Sequence, residues 1–131
     1  MNYLLDTSIF LWSLGAEHKL NQKARDLLSS TAAELYLSAA SSWEIAIKYA
    51  LGTLALPKPP SQFVPNALGA LAIRSLEITH FHSFMAGELP PHHRDPFDRM
   101  LIAQARLENM TLLTADRTLF KYEVKTMFCG K

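Results

Sequence analysis

The chain has 131 residues, enough for one compact domain that buries roughly two thirds of the surface its unfolded form would expose, and too few to expect a second. Its 49% hydrophobic and 19% charged residues fit a globular protein somewhat lean in charge, and exclude a disordered chain. A formal net charge of +1 excludes a global attraction to polyanions, so a nucleic-acid partner would have to be held by a local patch or through a metal.

Short apolar runs alternate with amphipathic stretches, and no repeat or low-complexity tract interrupts them. "NYLL" at 2–5 reads as a first strand, and "DTS" after it supplies turn and cap residues for a helix over about 8–14. A second helix is expected over 21–30, a strand at 34–38 ("ELYLS"), and a helix over 41–52 with Gly52 as its stop. "LPKPPSQ" at 56–62 holds three of the seven prolines and reads as a loop rather than a domain boundary. A helix carrying Pro65 in its first turns follows, then a strand at 73–78 and a helix over 79–89. The last elements are a helix opened by "RDPFD", a strand at 111–114 ("TLLT"), a short helix over 116–122 and a strand at 123–127. This βα rhythm predicts an α/β fold, a parallel sheet sandwiched between helices.

Ligands of such sheets bind outside the carboxyl ends of the strands. Asp6 directly follows the first strand, and Asp116 follows "TLLT" after one residue, so both belong to that edge. Glu44 and Asp98 are expected in the first turns of helices that could lean over it, which would collect four carboxylates there. Each has a structural alternative. Asp6 and Asp116 are placed to cap the helices that follow them. "SSWE" from Ser41 to Glu44 reads as a capping box, and Glu44 also stands four residues before Lys48, the favourable order for a helical ion pair.

Asp98 is the hardest to explain away. If Asp95 is the N-cap, Pro96 falls at N1 and Asp95 alone accounts for the helix start. Asp98 then heads the stripe of Leu101, Ile102 and Ala105, an apolar face on which a carboxylate is costly unless something cationic meets it. Arg99, Arg117 or a metal are the candidates. Carboxylates that converge raise one another's pKa, and such a cluster normally holds a hard divalent cation, for which Mg²⁺ suits an oxygen donor set. The histidines of "HFH" (80–82) and "HH" (92–93) have no zinc-ligand spacing and are expected in loop or exposed positions.

Cys129 is the lone cysteine and suits a reducing compartment. No Lys or Arg precedes Lys19, Asp6 interrupts the first apolar stretch, and no run approaches the ~18 apolar residues of a membrane span. A cytoplasmic protein is the expectation.

"LLDTSIFLW" (4–12), "SSWEIAIK" (41–48), "HRDPFDRMLIAQA" (93–105) and "TADRTLF" (114–120), in this order and spacing, resemble the PIN-domain ribonucleases, in particular the VapC-type toxins of bacterial toxin–antitoxin pairs. The resemblance covers nearly the whole chain and implies a single PIN domain over 1–131. It implies that Asp6, Glu44, Asp98 and Asp116 bind Mg²⁺ or Mn²⁺ for hydrolytic cleavage of RNA, such as tRNA or rRNA. Thr7 and Ser8 match hydroxyl positions after the first acid, Thr114 matches the one before the last, and Asp95 and Arg99 belong to the subgroup's motif. Asp6, Asp98 and Asp116 are then the expected metal carriers, with Glu44 orienting or deprotonating the attacking water. Arg99, Arg117 and Lys48 could contact phosphates or serve as solvated surface charge. A cognate antitoxin, a homodimer and higher toxin–antitoxin assemblies are the implied partners. Phe10, Leu11, Trp12 and Leu14 crowd the first helix, either as core or as a face for a partner. A non-catalytic module on the same scaffold, or another Mg²⁺-dependent phosphoesterase, is the alternative. An Asp-nucleophile phosphatase would need an Asp where Ser8 stands, and no G-x-G-x-x-G supports dinucleotide binding.

Overall fold

The computed structural model describes the whole chain, Met1–Lys131. Five strands, β1 (Asn2–Leu5), β2 (Glu34–Ser38), β3 (Ile73–Leu76), β4 (Thr111–Thr114) and β5 (Thr126–Phe128), form one sheet in the order β3-β2-β1-β4-β5. Every pairing is parallel. Six α-helices connect them: α1 (Thr7–Gly15), α2 (Gln22–Leu28), α3 (Ala39–Ala50), α4 (Pro60–Ala70), α5 (His80–Glu88) and α6 (Pro96–Leu107).

Strand alternation divides the core. Leu5 and Leu113 point into one cluster with Ile9, Phe10, Ala24, Ile45 and Val64, whereas Leu4 and Leu112, one residue earlier, point into a second with Leu101, Ile102 and Ala105. Helices therefore cover both faces, and the inner strands read as continuous apolar runs because neither face meets water. The expected α/β architecture is what forms.

Several local expectations need correction. α3 begins three residues before the proposed capping box: Ser38 is its N-cap and donates no place to Ser41, which is buried inside the first turn while Glu44 sits in the second. The reason is the strand itself, since β2 runs directly into the helix and its last residue becomes the cap. The loop predicted at 56–62 ends sooner, because Pro60 opens α4, a position at which its missing N–H costs nothing. Residues 117–121 form a 3₁₀ turn rather than an α-helix, and the last strand lies three residues later than the predicted 123–127 start. Of the apolar residues of α1, Phe10 is fully buried, and Leu11, Trp12 and Leu14 are partly buried against the core. The exposed large aromatics are Trp43, Phe81, Phe84 and Phe120.

α6 ends as its sequence allows. Asn109 adopts the left-handed conformation (φ 54°), and the Met110 N–H turns back to the Ala105 carbonyl at 2.8 Å before β4 begins. His82, expected in an exposed or loop position, is buried on α5: its Nδ1 accepts from the Thr79 N–H and its Nε2 lies 2.9 Å from Glu108 Oε2, tying α5 to α6. No helix is long and apolar enough to cross a membrane.

Candidate active site

The register of the central strands builds the site. Leu5 of β1 pairs with Leu37 of β2 on one side and Leu113 of β4 on the other, so the residues that follow all three emerge on one edge. Asp6 comes next after β1, Thr114 ends β4 and Asp116 follows it after one residue, and α3 carries Glu44 over the same edge from β2. Between β1 and β4 the chain's winding reverses, the place where a parallel sheet leaves a crevice.

Asp6 is buried and caps α1, its Oδ1 accepting from the Ile9 N–H at 2.8 Å. Burial pushes its carboxyl up to about 6, against hydrogen bonds from Thr114 and Ile9, and the charges of Glu44 and Asp116 push the same way as burial. Glu44 is 7% exposed. Its Oε1 accepts from the Thr7 hydroxyl at 2.6 Å and its Oε2 pairs with Lys48 at 2.7 Å, the expected helical ion pair. Thr7 Oγ1 also lies 2.9 Å from Ser41 Oγ, which gives Ser41 a place in the site instead of at the cap.

Asp95 is the N-cap of α6, accepting from Phe97 and Asp98 N–H groups, with Pro96 at N1 and Asp98 in the first turn. The stripe that Asp98 heads, Leu101, Ile102 and Ala105, is fully buried or nearly so. Burial, then the charges of Asp95, Asp6 and Glu44, push the Asp98 carboxyl up to about 7, only partly relieved by His93. Asp116 is the most open of the four acids. Its burial would raise its pKa, but hydrogen bonds from Thr118 and His93 outweigh this and hold it below the ordinary carboxylate value. Thr114 is buried and accepts from the Asp116 N–H at 3.0 Å, which sets the turn that carries Asp116 back over the edge.

The group that meets Asp98 is neither of the arginines considered from the sequence. Arg99 turns away and donates to the carbonyls of Pro90, His93, Ala86 and Leu89, and Arg117 stacks over Phe128 at 3.9 Å. His93 takes the place instead, with Nε2 at 3.2 Å from Asp98 Oδ2 and 3.0 Å from Asp116 Oδ2. The sequence does show "HHRDP" immediately before the helix, but the choice between two adjacent histidines depends on how the loop turns: His92 is exposed against Tyr122, and His93 faces inward. Ser8 is exposed on the first turn of α1.

Ligand atoms of His93, Asp98 and Asp116 lie within 4.8 Å of one another. Four carboxylates close enough to act on each other's ionisation, with two of them held partly protonated by burial, form a donor set suited to a hard divalent cation. The same two shifts set a pH dependence. Asp6 and Asp98 titrate near 3.8 when free and near 6 and 7 here, so the folded chain binds more protons than the unfolded one across that window. Their contribution to stability is complete below the free value and lost as pH rises through the folded values, whereas Asp116, shifted down, contributes above its ordinary range and loses it on acidification. The melting temperature in chelator should therefore fall between about pH 5 and about pH 7.5, and Mn²⁺ should offset the fall by binding the ionised form. A chelated melting temperature that rises over this interval would show that these acids are not desolvated.

A parallel sheet with helices on both faces and an acidic crevice at its switch point defines the class, an α/β domain with a carboxylate site of metal-binding type. The sequence matches the PIN domain family over residues 3–125, and the chain belongs to that family. It is 36% identical over 73 residues to Ribonuclease VapC16 of Mycobacterium tuberculosis, a match that takes in 50% of this chain and 52% of that protein, so the chain spans about half the length of the curated relative it matches. The fold is similar to that of VapBC2 from Rickettsia felis bound to a DNA fragment from its promoter (TM-score 0.75, 16% identity, 98% of this chain and 99% of that one). It is also similar to a toxin–antitoxin complex from Klebsiella pneumoniae (TM-score 0.67, 16% identity, 95% of each chain).

Proposed function

We propose that this chain, acting as one PIN domain over residues 1–131, is a metal-dependent endoribonuclease and the toxin of a toxin–antitoxin pair. The observation that carries the reading is the convergence of Asp6, Glu44, Asp98 and Asp116 on one edge, with burial and neighbouring charge opposing the ionisation of Asp6 and Asp98. A folded protein has little reason to keep such a cluster unless a cation compensates it. Family membership and the names of the relatives support RNA as the substrate, tRNA or rRNA being the expected classes.

Asp6, Asp98 and Asp116 would hold Mg²⁺ or Mn²⁺, which supplies Lewis-acid polarisation of the scissile phosphate. The chain's own residues do the rest. Thr114 and the Ile9 N–H orient Asp6, and Thr118 orients Asp116. Glu44, fixed between Thr7 and Lys48, retains lone pairs on both oxygens and orients the attacking water or takes its proton. Asp95 starts α6 and so aims Asp98, while Lys48, half-exposed beside the acids, is placed to contact a phosphate.

By the same reading the chain is cytoplasmic, forms a homodimer, and is masked by a cognate antitoxin, as the toxin–antitoxin assembly from Klebsiella pneumoniae suggests by its likeness of fold. The test is cleavage of total tRNA and rRNA by antitoxin-free protein with Mg²⁺, with Mn²⁺ and with EDTA. Discrete fragments that appear with metal and vanish with EDTA are expected. Cleavage unaffected by EDTA would remove the metal from the mechanism.

A further inference from the structure

The loop between α5 and α6 is irregular in path yet heavily held. The Arg99 guanidinium donates to four carbonyls in and before it: Ala86 and Leu89 at 2.8 Å each, Pro90 at 3.0 Å and His93 at 3.3 Å. From the segment that follows β4, the Tyr122 hydroxyl accepts from the His93 N–H and donates to the Pro90 carbonyl, both at 2.8 Å. What this loop presents to the acids is one imidazole.

Its protonation pattern follows from its partners. The Asp95 N–H donates to His93 Nδ1 at 3.1 Å, so that nitrogen must keep its lone pair and the neutral ring carries its proton on Nε2. Nε2 lies between Asp116 Oδ2 and Asp98 Oδ2, at 3.0 and 3.2 Å, and a single N–H is shared by two carboxylates. Direct ligation of a metal by Nε2 would move the ring proton to Nδ1 and set it against the Asp95 N–H, donor against donor.

We infer that His93 is a positioning residue: an Nε2–H donor that ties Asp98 to Asp116 and fixes the spacing of the two carboxylates. The inference rests on the metal-site reading above and adds to it a nitrogen group that acts through the acids. Arg99 and Asp95 acquire roles by the same geometry, Arg99 by holding the loop and the Asp95 amide by selecting the tautomer.

The experiment is a calorimetric Mn²⁺ titration of the wild-type chain and of His93→Ala, His93→Asn and His93→Gln, with thermal melts of each and pulsed electron paramagnetic resonance of bound Mn²⁺. Glutamine can bring an N–H donor to where Nε2 stands, and asparagine is too short to do so. His93→Ala and His93→Asn should bind Mn²⁺ about 10-fold or more weakly, the usual cost of losing an outer partner of a metal ligand, and His93→Gln should stay within about threefold of wild type. Bound Mn²⁺ should show no directly coordinated nitrogen. Wild-type affinity in a folded His93→Ala or His93→Asn would overturn the assignment, as would a failure of glutamine to restore binding. Strong nitrogen coupling to Mn²⁺ would make His93 a ligand and overturn it as well. If the wild-type chain binds no Mn²⁺, the metal-site reading falls and takes this inference with it; if it binds and the His93 variants bind equally, only the inference falls.

Discussion

Asp98→Asn is expected to abolish metal-dependent RNA cleavage while leaving the metal-free fold at least as stable as the wild type at neutral pH. The two effects have one origin. Asp98 stands at the head of a buried stripe, with Asp95, Asp6 and Glu44 all opposing its charge. Asparagine keeps the shape and removes the charge, so the desolvation and repulsion that burden the folded state disappear along with the carboxylate proposed to hold the cation. Helix α6 is not endangered, because its N-cap bonds come from Asp95. The loss of activity should exceed the roughly 10²-fold that removal of an outer partner of a metal can cost, because a ligand itself is lost. Single-turnover cleavage beside thermal melts in EDTA would measure both. Retained cleavage would place the chemistry elsewhere, and a large fall in the melting temperature would mean that the carboxylate has a structural role the geometry does not show.

Arg99→Ala should be strongly destabilising, for a reason unrelated to phosphate contact. Four carbonyls share its guanidinium, and three of those bonds are partly buried. Hydrogen bonds to a charged group contribute about 1.5–3 kcal/mol each when taken singly, and these are coupled through one side chain, so a total near 3 kcal/mol is expected. Lysine would not rescue it, because an ammonium lacks the flat, forked set of donors that reaches several carbonyls at once. Urea unfolding should show a lower midpoint with an unchanged slope. Since the same loop carries His93, Mn²⁺ affinity should fall in parallel. A variant within about 0.5 kcal/mol of wild type would show that the loop is held by Tyr122 alone.

Much of the fold was legible in local sequence because the inner strands are short apolar runs and the helices have conventional starts. "NYLL" and "TLLT" have no polar face, as strands buried on both sides require, and their observed limits match the predicted ones. Asp95, Pro96 and Asp98 were readable as N-cap, N1 and first-turn acid, since capping is decided within four residues. Legibility failed where neighbours far along the chain decide the local geometry. "SSWE" has the residues of a capping box, but β2 hands the chain directly to α3 at Ser38, and a helix has one N-terminus. Position 41 then turns inward to meet Thr7, 34 residues away.

The sequence by itself determined the βα order, the family to which the chain belongs, and the four acids that the strand ends would bring to one edge, because periodicity, capping and motif spacing are properties of short segments. It could not determine what balances those acids. Arg99 follows Asp98 and looks like its partner, yet a guanidinium that finds four carbonyls within reach is better satisfied by them than by one desolvated carboxylate. Only the tertiary structure decided that an imidazole, held by Tyr122 from beyond β4 and oriented by the Asp95 amide, stands between Asp98 and Asp116. Electrostatic partnership depends on distances between segments remote in sequence, and those are fixed only when the sheet's register and the helix packing have closed the site.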